Sequence, residues 1–219
     1  IDTAHIADDQ ITLAKMASGT DGNIISYDAS GDPVAIATGS DGQVLTSTGA
    51  GSPPAFESIS AGGTLTSKSA TTSGSSVDIT GIPAGTKWIT MLLNSVGSNG
   101  TGTFGCAIGD AGGIETSGYN GNCSGVNGTA VANGNDHSAD FRIINVGLAA
   151  QGYVGIIHLR LFEASSYTWV MSSLISDDQT ATTTWFSAGR KALSAELTQI
   201  RILTSDTFDE GNISIQYGE

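Results

Sequence analysis

Two copies of a twenty-residue unit lie near the N-terminus, and this repeat constrains the fold more than any other feature. The copies span residues 19–38 and 39–58. Each begins with Gly-Thr/Ser-Asp-Gly-Asn/Gln, continues with two apolar residues and a hydroxyl residue, and ends with Gly-x-Pro-x-Ala and an apolar residue. Asp-Gly favours a tight turn with glycine at positive φ, and Gly-x-Pro favours a second turn. Each unit is therefore predicted to fold back on itself as short β segments.

One such unit buries too little to be stable alone. Its few apolar pairs cannot offset about 1–2 kcal/mol of backbone entropy per ordered residue. Stacking, or winding with other chains, would supply the missing contacts. Upstream, Ile1, Ile6, Ile11 and Met16 recur every five residues, a period that fits neither a helix nor a strand. Residues 1–57 are therefore predicted to form a thin multichain stalk, with a flexible linker as the alternative. The small polar residues 58–76 are predicted to form a neck or linker.

From Val77 onward the sequence pattern changes to short apolar or alternating segments separated by glycine turns. A region of about 140 residues is long enough for one hydrophobic core. The spacing of the segments, near ten residues, predicts an all-β fold with an antiparallel, jelly-roll-like β-sandwich over 77–219. The predicted strands are 77–82, 87–94, 103–108, 140–147, 153–162, 167–175, 181–187, 197–204 and 212–217.

Charge and composition exclude several classes of function. The net charge is −13 and no basic cluster exists, so the chain is predicted not to bind nucleic acid, whose phosphates it would repel. No apolar run approaches the roughly 18 residues of a membrane span, so no membrane insertion is expected. The first residues, IDTAHIADDQ, lack an initiator methionine, which suggests a fragment of a longer protein.

Residues of the types used in catalysis and metal binding are present without a recognisable arrangement. No G-x-S-x-G elbow or calcium loop occurs, and acid pairs such as Asp110 with Glu115 are interpreted as solvated turn residues. The chain is therefore predicted to be neither an enzyme nor a cofactor or metal protein. Cys106 and Cys123 are either free thiols or a single disulfide closing a glycine-rich loop.

Several stretches resemble phage tail-fibre and receptor-binding proteins. These are the repeat GSDGQVLTSTGAGSPPAFES, the segment TGIPAGTKWITMLLNSVGSNGTG and the ending DTFDEGNISIQYGE. The resemblance covers residues 19–57 and 77–219. It implies a homotrimer in the virion, with an intertwined shaft and an outward C-terminal head that contacts the host surface. It also implies attachment to other virion proteins through a segment upstream of Ile1.

The Gly/Asn/Ser-rich stretch 109–139 is the candidate for receptor contact, because long loops on a rigid sandwich commonly bind partners. A hairpin around Ser124–Val131 is the alternative for part of it. Tyr119 lies between small residues and is predicted to be exposed. The hypothesis is that four residues of this stretch form part of a surface that binds a host glycan or an outer-membrane protein: Tyr119, Asn120, Asn122 and Asp136.

A purely structural role is the second function that the sequence allows. The chain would then be a fibre, decoration or adaptor protein whose head serves trimerisation or docking. A large apolar patch without an exposed aromatic loop would favour docking over receptor binding.

Overall fold

The computed structural model describes residues 18–58, 63–128, 130–133, 137–149, 151–178 and 183–219, with only the backbone at 131–133. All regular structure in these residues is β, and none of them forms a helix long and apolar enough to cross a membrane. The chain divides into two compact units, Ile1–Ala61 and Gly62–Glu219. The five-residue spacing predicted upstream, at Ile1 to Met16, lies outside the described residues.

In the N-terminal unit each repeat forms an antiparallel hairpin, which confirms that the units fold back on themselves. Strands β1 (Ile24–Tyr27) and β2 (Pro33–Ile36) form the first hairpin, and β3 (Gln43–Thr46) and β4 (Ala55–Ser58) the second. The Asp-Gly turns precede both, with φ of +79° at Gly22 and +85° at Gly42. The register differs by one residue between the copies, because Ile24 faces Ile36 whereas Val44 faces Glu57.

These hairpins leave much of their apolar surface uncovered. The side chains of Ile25 and Tyr27 are 60% and 66% exposed, and Val44 and Leu45 are exposed as well. An isolated two-stranded hairpin is at best marginally stable in water. The hairpins therefore leave these apolar side chains in contact with solvent, and the further contacts expected to cover them stay a prediction.

The C-terminal unit is built from two antiparallel sheets. The larger has the order β12-β11-β16-β15-β14-β8-β18, with two short strands, β5 and β6, on the free edge of β18. Its strands are β5 (Thr64–Leu65), β6 (Ser69–Ala70), β8 (Trp88–Ser98), β11 (Asn120–Asn127), β12 (Ala130–Asn133), β14 (Tyr153–Glu163), β15 (Thr168–Asp177), β16 (Thr183–Ala192) and β18 (Phe208–Gly218). Residues 64–70 are predicted to belong to a neck, but β5 and β6 within them pair with β18 at the edge of the larger sheet.

The smaller sheet has the order β10-β9-β17-β7, with β13 also paired to β9. Its strands are β7 (Ser76–Thr80), β9 (Phe104–Asp110), β10 (Gly113–Ile114), β13 (Phe141–Ile144) and β17 (Gln199–Thr204). All nine strands predicted for this region are confirmed, with shifts at their ends. The alternation predicted in β14 is confirmed too, because His158 and Arg160 face solvent while Leu159 is buried.

The two sheets enclose one core, and aromatic side chains join them. Phe104 of the smaller sheet is fully buried. Its ring centroid lies 5.3 Å from that of Tyr153 on β14 and 5.9 Å from that of Phe208 on β18. Edge and tilted aromatic pairs of this kind add to the stabilisation from apolar burial. The core therefore includes the sheet-to-sheet contact that a sandwich requires.

The stretch 109–139 is mostly strand rather than loop. Strands β10, β11 and β12 occupy much of it, and β11 pairs with both β12 and β16. The hairpin considered around Ser124–Val131 is confirmed, because Val126 faces Val131 in this pair. The prediction of a long loop from the glycine and asparagine content is wrong. Those residues are tolerated in strands that neighbouring strands hold in register.

Cys106 and Cys123 are both buried and free. Cys106 lies on β9 of the smaller sheet and Cys123 on β11 of the larger. Burial raises the pKa of the Cys106 thiol above its ordinary range and raises the pKa of Cys123 to about 12. Because the thiolate is the species that forms disulfides, these environments oppose oxidation. The disulfide considered from the sequence is not formed, and the free-thiol alternative holds.

Replacing Phe104 by alanine should destabilise the C-terminal unit by about 3–5 kcal/mol, because it removes a buried ring and leaves a cavity between the sheets. Urea unfolding followed by tryptophan fluorescence measures the change. Phe162→Ala is the matched control, since Phe162 is 76% exposed and its loss should cost less than about 0.5 kcal/mol. Equal losses for the two variants would contradict the core assigned here.

Candidate binding surface

A row of exposed apolar side chains crosses the outer face of the larger sheet. Phe186 on β16 faces Leu174 on β15, which faces Ile156 on β14, which faces Leu92 on β8. Their side chains are 45%, 61%, 39% and 36% exposed. Neighbouring strands lie about 4.8 Å apart, so the row extends over roughly 14 Å. We call these four residues the apolar row.

Mixed polar and apolar residues, including two arginines, border the apolar row on the same face. Next to it lie Asn122, Ala188, Ser172, His158 and Thr90, and beyond them Asn120, Arg190, Val170, Arg160 and Trp88. The His158 Nδ1 and Thr90 Oγ1 atoms are 3.1 Å apart, and the Arg160 guanidinium lies 5.5 Å from the Trp88 ring centroid. Neither arginine forms an ion pair with a described residue. The face thus carries local positive charge in a chain of net charge −13.

The four residues predicted for receptor contact differ in their exposure, and one of them is not described by the structure. Asn120 and Asn122 are exposed on β11, on this outer face. Asp136 lies outside the described residues. The exposure predicted for Tyr119 is wrong, because only 4% of it is accessible.

Tyr119 is buried because its ring and its hydroxyl both have partners inside the unit. The ring packs edge-on against Phe141, with centroids 4.8 Å apart. The hydroxyl accepts a hydrogen bond from the Ile108 N–H at 2.8 Å and lies within donating distance of the Ile108 and Glu115 carbonyl oxygens. Burial raises the pKa of this phenol above its ordinary range. Flanking glycines, the basis of the prediction, do not reveal such long-range partners.

Tyr119 and Asn120 nevertheless line one shallow groove of about 440 Å³, together with Thr168 and the β16 residues Arg190 and Lys191. Lys191 is buried beside this groove, where its ammonium pairs with the Glu115 carboxylate. It also donates to the Ala192 carbonyl at 2.7 Å and lies 5.6 Å from the Tyr119 ring centroid. Arg190 is exposed. The groove therefore offers an amide and a guanidinium to a polar partner.

The interpretation of Asp110 and Glu115 as solvated turn residues is wrong for Asp110. Asp110 is only 5% exposed. Ser194 bridges the pair: its hydroxyl donates to Asp110 at 2.5 Å and its N–H donates to Glu115 at 3.1 Å. The Ser194 hydroxyl, followed by the Gly112 N–H, lowers the pKa of Asp110. This network joins the last residue of β9 to the segments that follow β10 and β16. Among the residues the structure describes, no group of three or more His, Cys, Asp or Glu side chains could hold a metal ion.

Ser194→Ala should lower the free energy of unfolding at neutral pH by about 1.5–3 kcal/mol, because it removes a hydrogen bond to a charged group. The folded-state pKa of Asp110 lies below its ordinary value of 3.8, so this contribution is present above that pH and is lost as pH falls through the folded pKa. Urea unfolding of both chains from neutral to acidic pH tests this. The difference should shrink in acid, whereas Ser73→Ala, in an exposed bend, should behave as the unchanged chain. A difference independent of pH would contradict the assignment.

No protein-family model matches this chain, and no curated protein or solved structure is significantly similar to it.

Proposed function

We propose that this chain is a structural subunit of a virion fibre whose C-terminal head associates with further copies of itself through the outer face of the larger sheet. The observation that carries this proposal is the apolar row. An antiparallel sheet with one face on the core normally turns polar side chains to water on the other. A contiguous apolar patch on such a face is typical of an interaction site. The burial of Tyr119 adds support, because receptor binding is expected from the sequence to use this tyrosine in an exposed loop. Without that exposed ring, docking is favoured over receptor binding. No catalytic step is involved.

The size of the apolar row suggests that the head contact works together with other contacts. Fully burying a large apolar side chain contributes about 1.5–3 kcal/mol. Four side chains that are already about half covered therefore contribute on the order of 4 kcal/mol, before the cost of association. The exposed apolar residues of the repeat hairpins, such as Ile25 and Leu45, offer a second contact. Weak contacts at linked positions reinforce one another through effective concentration.

A second copy of this chain is the occupant that we propose for the face. Copies carrying a net charge of −13 repel one another over most of their surface. Arg160, on the same strand and the same face as Ile156, makes the region around the apolar row less repulsive. It is also available to a carboxylate of a neighbouring copy. A homotrimer is the expected assembly, given the resemblance to fibre proteins.

Leu174→Asp should prevent assembly, because it places a carboxylate in the middle of the apolar row. Light scattering on the full chain should give a mass near three times 22.1 kDa before the substitution and a smaller mass after it. Val146→Asp is the matched control: Val146 is 52% exposed, lies outside the row, and should leave the mass unchanged. A monomeric unsubstituted chain, or a Leu174→Asp chain that assembles normally, would show that the row is not the interface.

Receptor binding is the second candidate function, and the groove beside Asn120 favours it. An amide at Asn120 and a guanidinium at Arg190 are donors for sugar hydroxyls or an acidic sugar. We propose a host surface glycan as the ligand, with a host outer-membrane protein as the alternative receptor. In a trimer the copies would be displayed together, which would raise the avidity of a weak site.

Binding of the full chain to an array of bacterial surface glycans should fall at least about tenfold when Asn120 and Arg190 are both replaced by alanine. The double substitution removes the hydrogen-bond donors that the two side chains offer to the ligand. Light scattering on the same variant shows whether assembly persists. Lys68→Ala is the control for loss of a positive charge elsewhere in the C-terminal unit. Array binding that is absent, or that is unchanged in the double variant, would exclude the groove as the receptor site.

A further inference from the structure

A second row of residues crosses the outer face of the larger sheet, parallel to the apolar row. Each residue of this row faces the next one in register, from β11 through β16, β15 and β14 to β8. The row consists of Asn120, Arg190, Val170, Arg160 and Trp88, and we call it the arginine row. Arg160 lies four residues beyond Ile156 of the apolar row on β14, or about 14 Å along the strand. The two rows are therefore separate surfaces of one face.

The two guanidiniums of the arginine row have no carboxylate partner among the described residues. The chain has 21 Asp+Glu against 8 Lys+Arg, so most basic side chains have acids nearby. The other two arginines show this, because Arg142 pairs with Asp140 and Arg201 pairs with Asp78. In contrast, neither the arginine row nor the row between it and the apolar row contains an acid. Both guanidiniums are therefore available to an acidic partner.

Arg160 is held in position by an aromatic ring. Its guanidinium lies 5.5 Å from the centroid of the Trp88 ring, within the range of a cation–π contact. The Trp88 ring in turn lies against Gly63 and Gly218, where a side chain on either glycine would collide with it. A guanidinium that stacks on a ring keeps its N–H edge free to bind a carboxylate through two hydrogen bonds. Little side-chain freedom is then lost when a ligand binds.

Exposed apolar side chains lie beside the two guanidiniums. Val170, which stands between the arginines in register, is 42% exposed. Phe162, two residues beyond Arg160 on β14, is 76% exposed, whereas the preceding Leu161 packs against the core. Sugar rings combine an apolar face with polar edges, and carboxylated sugars add a negative charge. The alternation of charge and apolar surface therefore fits an acidic sugar chain better than a bare anion.

We propose that the arginine row binds a glycan whose sugars carry carboxylate groups, with one carboxylate on Arg190 and another on Arg160. These arginines lie two strands apart, or about 10 Å, so the ligand extends over more than one sugar ring. It begins in the groove, where Asn120 offers an amide, and crosses Val170 to reach Arg160. This inference names the ligand class of the receptor-binding role proposed above and rests on that role. It does not require self-association.

The test is the affinity of the full chain for three carboxylated polysaccharides, polygalacturonate, alginate and hyaluronan, measured by titration calorimetry. Dextran, which lacks carboxylates, and polyglutamate, which lacks sugar rings, are the matched polymers. At least one carboxylated polysaccharide should bind about tenfold more tightly than either matched polymer, and added salt should weaken its binding. Binding by none of the three would overturn the proposal. Equal affinity for polyglutamate would show that the row recognises charge alone, which would also overturn it.

Substitutions of the two arginines locate the site. Arg160→Gln and Arg190→Gln should each weaken binding of the polysaccharide about tenfold, because each removes a hydrogen bond between charged groups. Lys68→Gln removes an exposed positive charge elsewhere in the same unit and should leave the affinity unchanged. Arg190 has no described ion pair to lose, so its substitution tests the site without disturbing the fold. Unchanged affinity in both arginine variants, or an equal loss in Lys68→Gln, would overturn the arginine row as the site.

The glycan array separates this inference from the role on which it rests. Binding to neutral glycans alone would leave the groove standing as a receptor site and overturn the acidic ligand. An array without any binding would overturn both. Light scattering on Arg160→Gln should give the mass of the unsubstituted chain. A smaller mass would assign this arginine to the contact between copies and overturn its role in ligand binding.

Discussion

The packing of Phe104 between the two sheets is the contact on which the rest of the C-terminal unit depends. This ring comes from the smaller sheet and touches Tyr153 and Phe208, which lie on different strands of the larger one. Because the contact fixes which face of each strand is inside, it also fixes which residues of β8, β14, β15 and β16 face outward. The apolar row follows from this assignment of inner and outer faces, since the side chains of a strand alternate between two faces.

The outward residues of the larger sheet are therefore informative about function. Core packing explains why Leu159 and Met171 are apolar, but it gives no reason for Leu174 or Phe186. Such residues lower solubility and are retained where another surface covers them. In the N-terminal unit the same reasoning applies to Ile25 and Tyr27, because two strands cannot bury both faces. Both units thus carry apolar surface that a single copy leaves in water.

The two proposed roles use neighbouring parts of the larger sheet. Self-association uses the middle of the outer face of the larger sheet, where apolar area and local positive charge coincide. Receptor binding uses the groove where β11 begins and β16 ends, with Asn120 and Arg190 on its wall.

Sequence alone determined the hairpins of the repeat and nine strands of the C-terminal unit, but not β10 and β11. Apolar alternation, and glycines such as Gly22 and Gly42 in turns, are local properties, and local periodicity is sufficient to locate a strand. Tertiary structure decided what those strands bring together. The apolar row depends on the register of four strands, and the burial of Tyr119 depends on a contact with Phe141. These pairings are made between residues far apart in the sequence, so no window of neighbouring residues contains the information that selects them.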